Sequence, residues 1–296
     1  MYTDSDNDSF FTNTLVKKPI DEDIKYVDDV DKYDLMRTIV GIEYLKPLFK
    51  ENVIRVLDAG CGTGNYIKEL NNDNCQFIGI DNNAEMVKKT VEKIKEFDLN
   101  ALIFLGSLND PLPFPSESFD GVMINQVLDY LDDGSDKSFP NCKKIFAEFH
   151  RIIRPGGFLA INFSTPEQAE SFWYNYLVPN MMKQFKKRHI SKDLLVKYLT
   201  QNNFTVKSTF KIVDSTMKKI NYNNIIGALN SDWRKGDTNW IYANEKSIDE
   251  LNELLHRSVN HYDPDLPNEA KYPLFITLDR VRQEIGQSLT IIAIRK

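Results

Sequence analysis

Residues 53–60, VIRVLDAG, form a short and almost continuously apolar run rich in valine and isoleucine. A strand with one wet face alternates apolar and polar residues, whereas a run like this suits a strand buried on both faces, as in a parallel sheet. Glycines then follow at alternate positions, Gly60, Gly62 and Gly64. They let the chain turn sharply and let a ligand approach bare backbone. The helix expected from Tyr66 to Leu70 adds unpaired N–H groups at its start.

The alternation continues along the chain. FIGID (77–81), ALIFLG (101–106), the start of FDGVMINQVL (119–128), GFLAINFS (157–164) and the final SLTIIAIRK read as strands. Residues 84–97 and 143–153 read as helices between them. Upstream, Leu35, Ile39, Ile42 and Leu45 recur at helical spacing and predict one helix that Pro47 ends or kinks. Strands alternating with helices indicate βαβ units with right-handed crossovers. The expected fold is α/β: a Rossmann-like, doubly wound, mostly parallel seven-stranded sheet, with an antiparallel last strand and an inserted cap. Ligands in this class sit at the carboxyl ends of the strands, near a topological switch point.

The glycine spacing narrows the ligand. A dinucleotide loop is G-x-G-x-x-G, and its third glycine would fall on Asn65; Gly64 fits G-x-G-x-G instead. Asp81, at the end of the second strand, would accept hydrogen bonds from ribose hydroxyls in either case. A tight turn with no ligand is the plain alternative.

VLDAGCGTG, FIGID, a G-x-x-x-D-P-L-P-F segment, SFDGVMINQVLDYL and RIIRPGGFLAI, in that order, resemble a class I S-adenosylmethionine-dependent methyltransferase. The nearest resemblance is to small-molecule methyltransferases, including those of quinone biosynthesis. It covers residues 30–165, continues weakly through HISKDLLVKYLTQNNF, and fails across 214–286. It implies S-adenosyl-L-methionine as cofactor. Asp58 corresponds to the acidic residue that meets the cofactor's amino group, often through water. Gly60, Gly62 and Gly64 correspond to the loop beneath its methionine and ribose parts, and Asp81 to the ribose-binding carboxylate. Asn82 and Met86 stand where the family packs against adenine. Ser107, followed by Leu108, stands where the family commonly has an aspartate touching the adenine amino group. Asn125 and Gln126 end the fourth strand near the methionine moiety, and Tyr33 matches a tyrosine that closes over the cofactor.

The acceptor side is less defined. Asp129 and Tyr130 follow the fourth strand where relatives often have histidines; they are candidates to face the methyl group, or a helix-start carboxylate and a packing ring. Trp173 in FWYNYLVPNMM, and Trp233, Arg234, Trp240, Tyr242 and Tyr262 in the later insertion, would wall an apolar or planar acceptor or form the core of a cap. The expected organisation is a flexible acidic arm over 1–30, a core over 31–213, a cap or lid over 214–286 with a helix from Glu250 to Val259, and a final strand over 287–296.

Composition limits the partners. The 296 residues are 42% hydrophobic, and the formal net charge is −6. Nucleic acid is therefore not expected. No apolar run reaches the ~18 residues of a membrane span. Three scattered cysteines give no metal or disulfide spacing, so a cytoplasmic location is the expectation and no metal is assigned. His150, His189, His256 and His261 read as structural, with Ser191 capping the helix after His189. Lys183, Lys186, Lys187 and Arg188 read as a solvated helix face, or as a site for an anionic acceptor or RNA. The expected function is methyl transfer to a small, apolar or aromatic acceptor by in-line displacement. The alternatives are a cofactor-binding regulatory protein without turnover, or a protein methyltransferase.

Overall fold

The structure is a computed structural model that describes residues 27–259 and 273–296, apart from residues 28 and 51. Nearly all of the arm expected over 1–30 lies outside these residues, as do His261 and Tyr262.

Seven strands form one sheet: β1 (Arg55–Ala59), β2 (Gln76–Asp81), β3 (Ala101–Leu105), β4 (Phe119–Asn125), β5 (Ile153–Phe163), β6 (Phe204–Ile212) and β7 (Ser288–Arg295). Their order is β3-β2-β1-β4-β5-β7-β6. β1 pairs in parallel with β2 and β4, and β7 runs antiparallel between β5 and β6. The helices used below are α1 (Val30–Met36), α2 (Asn65–Leu70), α3 (Ala84–Phe97), α4 (Leu128–Leu131), α5 (Pro140–Ile152), α6 (Pro179–Lys187), α7 (Lys192–Gln201) and α8 (Pro273–Ile285). The doubly wound architecture and its antiparallel last strand agree with the sequence reading.

The apolar run of β1 has a physical reason. Val56 and Leu57 are consecutive and point to opposite faces. Val56 packs with Phe77, Met123 and Phe158, while Leu57 packs with Ile78, Val122 and Leu159, next to Phe146 and Phe149 of α5. Both faces are covered, so polar alternation has no place. The chain order reverses between β1 and β4, and their carboxyl ends leave a crevice there. Asp120, on β4, fixes the entry to β1: its Oδ2 accepts from the N–H groups of Ile54 and Arg55, each at 2.8 Å, and its Oδ1 pairs with Arg154 at 2.8 Å.

One expected element divides. The single helix predicted through Leu35, Ile39, Ile42 and Leu45 is two helices, α1 and a short turn over Ile42–Leu45. Between them Arg37 is extended and bridges to Met217 in the insertion. The Val40 carbonyl accepts from Tyr66 Oη and Asn162 Nδ2, which removes it from any helical ladder. Gly41, at φ 69, turns the chain before the second helix. Leu35, part of the apolar stripe, is 63% exposed. Periodicity was present, but long-range partners took the backbone groups that a helix would have used.

The cap has its own apolar core, separate from the sheet's. It draws on two segments: Ala169–Phe185, after β5, and Met217–Leu255, between β6 and β7. Trp173, Tyr174, Trp233 and Trp240 meet edge-on or tilted at its centre. Met36 of α1 is buried in the same cluster.

Replacing Asp120 with alanine would leave two backbone donors and Arg154 without their acceptor. Urea denaturation is expected to show a loss of ~2–3 kcal/mol with an unchanged m value; a loss below ~0.5 kcal/mol would show that β1 does not depend on this carboxylate.

Candidate functional site

The chain leaves β1 at Asp58 and Ala59 and enters the glycine loop. Gly62 has φ 53, and a side chain built on it would meet no atom within 4 Å, so its backbone faces open space. Gly64, at φ 77, is the left-handed residue immediately before α2, where a glycine has no steric penalty. Asp81, at the end of β2, accepts from Gly62 N–H and Asn83 N–H, both at 2.9 Å. Thr90 of α3 donates to the Gly62 carbonyl at 2.6 Å. The Gly62 residue is thus held by both its N–H and its C=O.

On the other side of the crevice, Gln126 follows β4 in the left-handed region, at φ 56. Its N–H donates to the Asn162 carbonyl and its Nε2 to Asn162 Oδ1, each at 2.7 Å. A non-glycine residue keeps such a conformation only where its surroundings over-determine it, and such residues concentrate at functional sites.

Two cavities open here, of about 110 and 70 Å³. They share Tyr33, Gly60, Gly62, Asn125 and Gln126. The first continues over Asp81, Asn82, Met86, Ser107 and Leu108 to Tyr130 and Thr238. The second holds Asp58, Arg37 and Thr216. Every cofactor residue expected from the sequence lines one of them except Gly64, whose place is the start of α2. A larger cavity, about 820 Å³, lies between residues 213–223 and α8 and contains no part of the glycine loop. The smaller pair is where the unusual chemistry sits.

That chemistry centres on Asp58. It is 1% exposed, and neither carboxylate oxygen has a hydrogen-bond partner among the described residues; the same holds for both polar atoms of the Asn125 amide. Burial pushes Asp58 up to about 7, the charge of Asp81 adds to this, and Asn125 partly offsets it. Burial also raises Asp81, against the bonds it accepts from Asn83 and Gly62. Across the second cavity stands Arg37, which the sequence reading missed. Its Nη1 donates to Thr216 Oγ1 at 2.6 Å and its guanidinium lies 4.8 Å from the centre of the Tyr33 ring. No carboxylate lies within ion-pair distance of it among the described residues. No spacing rule could have found Arg37, because its position depends on the break after α1. Thr216 and Thr238 were missed because the insertion carries no motif.

The acceptor candidates separate. Tyr130 lines the first cavity, but Asp129 lines neither. Asp129 is instead grouped with the end of α6: Arg188 Nε donates to its carbonyl at 2.9 Å, and burial raises its carboxyl while His189 opposes the shift. Trp173, Trp233 and Trp240 are 0%, 6% and 7% exposed and sit inside the cap core, away from both cavity walls. Rings of that size are the cap's main source of buried apolar area, so packing claims them. His189 is buried, with Nδ1 2.9 Å from the Phe185 carbonyl, and Ser191 caps α7 by accepting from Leu194 N–H. Lys183 and Lys187 are exposed and Lys186 pairs with Glu170, so the basic run is largely a solvated helix face. Among the described residues no helix is long and apolar enough to cross a membrane.

Fold, bare loop and buried carboxylate together define an α/β domain with a candidate ligand site at the carboxyl ends of its strands. Residues 57–161 match the family described as "Methyltransferase domain". The chain is 28% identical over 174 residues to the demethylmenaquinone methyltransferase of Listeria welshimeri, a match covering 53% of this chain and 70% of that protein. A corresponding protein of Oceanobacillus iheyensis is 26% identical over 175 residues, covering 53% and 70%. Among solved structures, a putative methyltransferase from an antibiotic biosynthesis pathway of Anabaena variabilis shares the fold with a TM-score of 0.61 at 18% identity, over 86% of this chain and 96% of that one. The geranyl diphosphate C-methyltransferase of Streptomyces coelicolor does so with a TM-score of 0.51 at 14% identity, over 86% and 76%. Residues 57–161 thus match a methyltransferase domain, and the chain is similar to class I S-adenosylmethionine-dependent methyltransferases, in line with its five ordered motifs.

A carboxyl raised on folding has a defined linkage. Asp58 binds its proton more tightly in the folded than in the unfolded state, so ligand-free stability falls as pH rises from about 4 towards about 7 and is level above that. Relative to Asp58→Asn, the wild-type protein is expected to lose stability across this range with a slope approaching ~1.4 kcal/mol per pH unit. Denaturation midpoints that run parallel for the two proteins would contradict it.

Proposed function

We propose that this methyltransferase moves a methyl group to a small, apolar or aromatic acceptor, with the cofactor lying across the two joined cavities. The observation that carries the cofactor placement is the second cavity. Asp58 and Arg37 face one space there; Asp58 has no hydrogen-bond partner among the described residues, and Arg37 donates to Thr216 with no carboxylate within ion-pair distance among them, though the charge of Asp237 acts on it from farther away. An α-amino acid carries the matching pair: its ammonium meets Asp58 and its carboxylate meets Arg37, by charge-assisted hydrogen bonds that are strong when desolvated. In the first cavity Asp81 is placed for ribose hydroxyls, and Met86 and Leu108 give a flat base apolar walls.

S-adenosylmethionine supplies a methyl group already activated on a sulfonium. The residues of this chain therefore need to bind, align and exclude water. Tyr33, from α1, and Tyr130 and Thr238 cover the cavities from outside the sheet. Cover of this kind favours a small acceptor over a folded protein. The likeness to demethylmenaquinone methyltransferases supports the same reading.

The lining also bears on the nucleophile. Besides Asp58, Asp81 and Arg37, the titratable groups on the two cavities are Tyr33, Cys61, Tyr66 and Tyr130. Burial raises the thiol of Cys61 and the phenols of Tyr66 and Tyr130, so none of these three is a base near neutral pH. The acceptor that fits ionises on its own and attacks as an anion, such as a phenolate.

Incubation with methyl-labelled S-adenosylmethionine and a cell extract is expected to place label in the small-molecule fraction; label confined to protein would overturn the acceptor class. Calorimetry with S-adenosylhomocysteine is expected to show affinity rising from pH 6 to pH 8, as Asp58 loses its proton to meet the ammonium. Asp81→Asn should weaken binding roughly 10- to 100-fold. Arg37→Met should weaken S-adenosylhomocysteine but leave 5′-methylthioadenosine, which lacks the amino-acid part, unchanged. Equal losses for both ligands would remove Arg37 from this role.

A further inference from the structure

Helix α1 has only seven residues, yet it meets three separate parts of the molecule. Val30 packs against Met86, beside the first cavity. Met36 is buried in the cap core. Between them Tyr33 lines both cavities, and Asp34 reaches the glycine loop.

Asp34 Oδ1 accepts from Thr63 Oγ1 at 2.5 Å, from Asn65 Nδ2 at 3.1 Å and from Lys93 Nζ at 2.5 Å. Lys93 also donates to Asn65 Oδ1 at 2.6 Å. The side chains of Lys93 and Asp34 are only 11% and 17% exposed. Burial alone would raise the Asp34 carboxyl, but the hydrogen bonds from Lys93 and Thr63 outweigh it and hold the group below the usual carboxylate range. A pair this sheltered is costly to break, because either partner alone is a buried charge without compensation. The other ion pairs of α1, Lys89–Asp31 and Lys32–Asp232, each include a side chain more than half exposed and count for less.

Past Met36 the chain is joined to the insertion. Thr38 N–H donates to the Thr216 carbonyl at 2.9 Å, Lys218 N–H to the Met36 carbonyl at 2.8 Å, and Arg37 to Thr216 Oγ1. One continuous set of contacts thus runs from Thr63 and Asn65, on the cofactor loop, through Asp34 and α1, to Thr216 and the cap.

We propose that Asp34, with Lys93, is a positioning residue that couples the cofactor loop to the cap, so that filling the cofactor cavity orders the acceptor half of the site and the cofactor binds first. The inference rests on the cofactor placement given above. Its thermodynamic basis is differential: a ligand seated on the Gly60–Gly64 loop favours the loop arrangement that presents Thr63 and Asn65 to Asp34, and α1 passes that preference on.

Hydrogen exchange of the full chain with and without S-adenosylhomocysteine tests it. In the wild-type protein the ligand is expected to slow exchange at residues 60–65 and also at 215–218 and 238–242. In Asp34→Asn and in Lys93→Met, the ligand still slows exchange at 60–65 but no longer in the cap segments, and its dissociation rate rises about tenfold. Lys93→Met keeps an apolar stem in place of a buried charge, so it reports even if Asp34→Asn folds poorly. Lys93→Arg, which keeps the charge, should restore cap protection. Cap protection and dissociation rates equal to wild type in both variants would overturn the coupling. Absence of protection at 60–65 in the wild-type protein would instead overturn the cofactor placement beneath it.

Discussion

A buried carboxylate with no hydrogen-bond partner among the described residues is the constraint that the rest of this site answers to. Asp58 is buried at the carboxyl end of β1, where an isolated charge is expensive. Protein interiors normally supply such a group with donors. Here the neighbouring Asn125 has both its own polar atoms without hydrogen-bond partners among the described residues. The fold therefore holds an incomplete electrostatic arrangement at the one place where strand order reverses. Under the proposed placement a cationic ligand would complete it, and the opposing guanidinium of Arg37 would limit which cations also fit at the other end.

The glycine loop and the cap solve different parts of the same problem. The loop provides backbone that nothing covers, held in place by Asp81 and Thr90 rather than by packing. The cap provides cover, and its stability comes from aromatic packing that leaves its own tryptophans no role at the cavity wall. Helix α1 joins the two. It is too short to be stable by itself, so its position reports on what it touches: the loop at Asp34 and the cap at Met36.

Much of the core was legible because its signals are local. The β1 run, the glycines and Asp81 lie within thirty residues and follow from two-sided burial and close backbone approach. The six strands given a range and helices α2, α3 and α5 fell within a few residues of their expected places, and α3 matched at both ends; the helix expected from Glu250 to Val259 begins at Glu245. The failures share a cause. The break after α1 and the placement of Arg37 depend on contacts between distant segments, and so does the choice between the two readings left open for Trp173, Trp233 and Trp240 and for Asp129. Periodicity and composition record which residues are apolar, but not which apolar body they join. A tryptophan in an insertion satisfies a cap core and a ligand wall equally well until its neighbours are known.

The central claim is that Asp58 and Arg37 bracket the amino-acid end of a sulfur nucleoside. A crystal structure with S-adenosylhomocysteine tests it most directly. The account predicts the ligand's ammonium within hydrogen-bond distance of Asp58, its carboxylate on Arg37, and its ribose on Asp81. A ligand bound elsewhere, or seated here with its amino-acid end turned away from both charges, would contradict it.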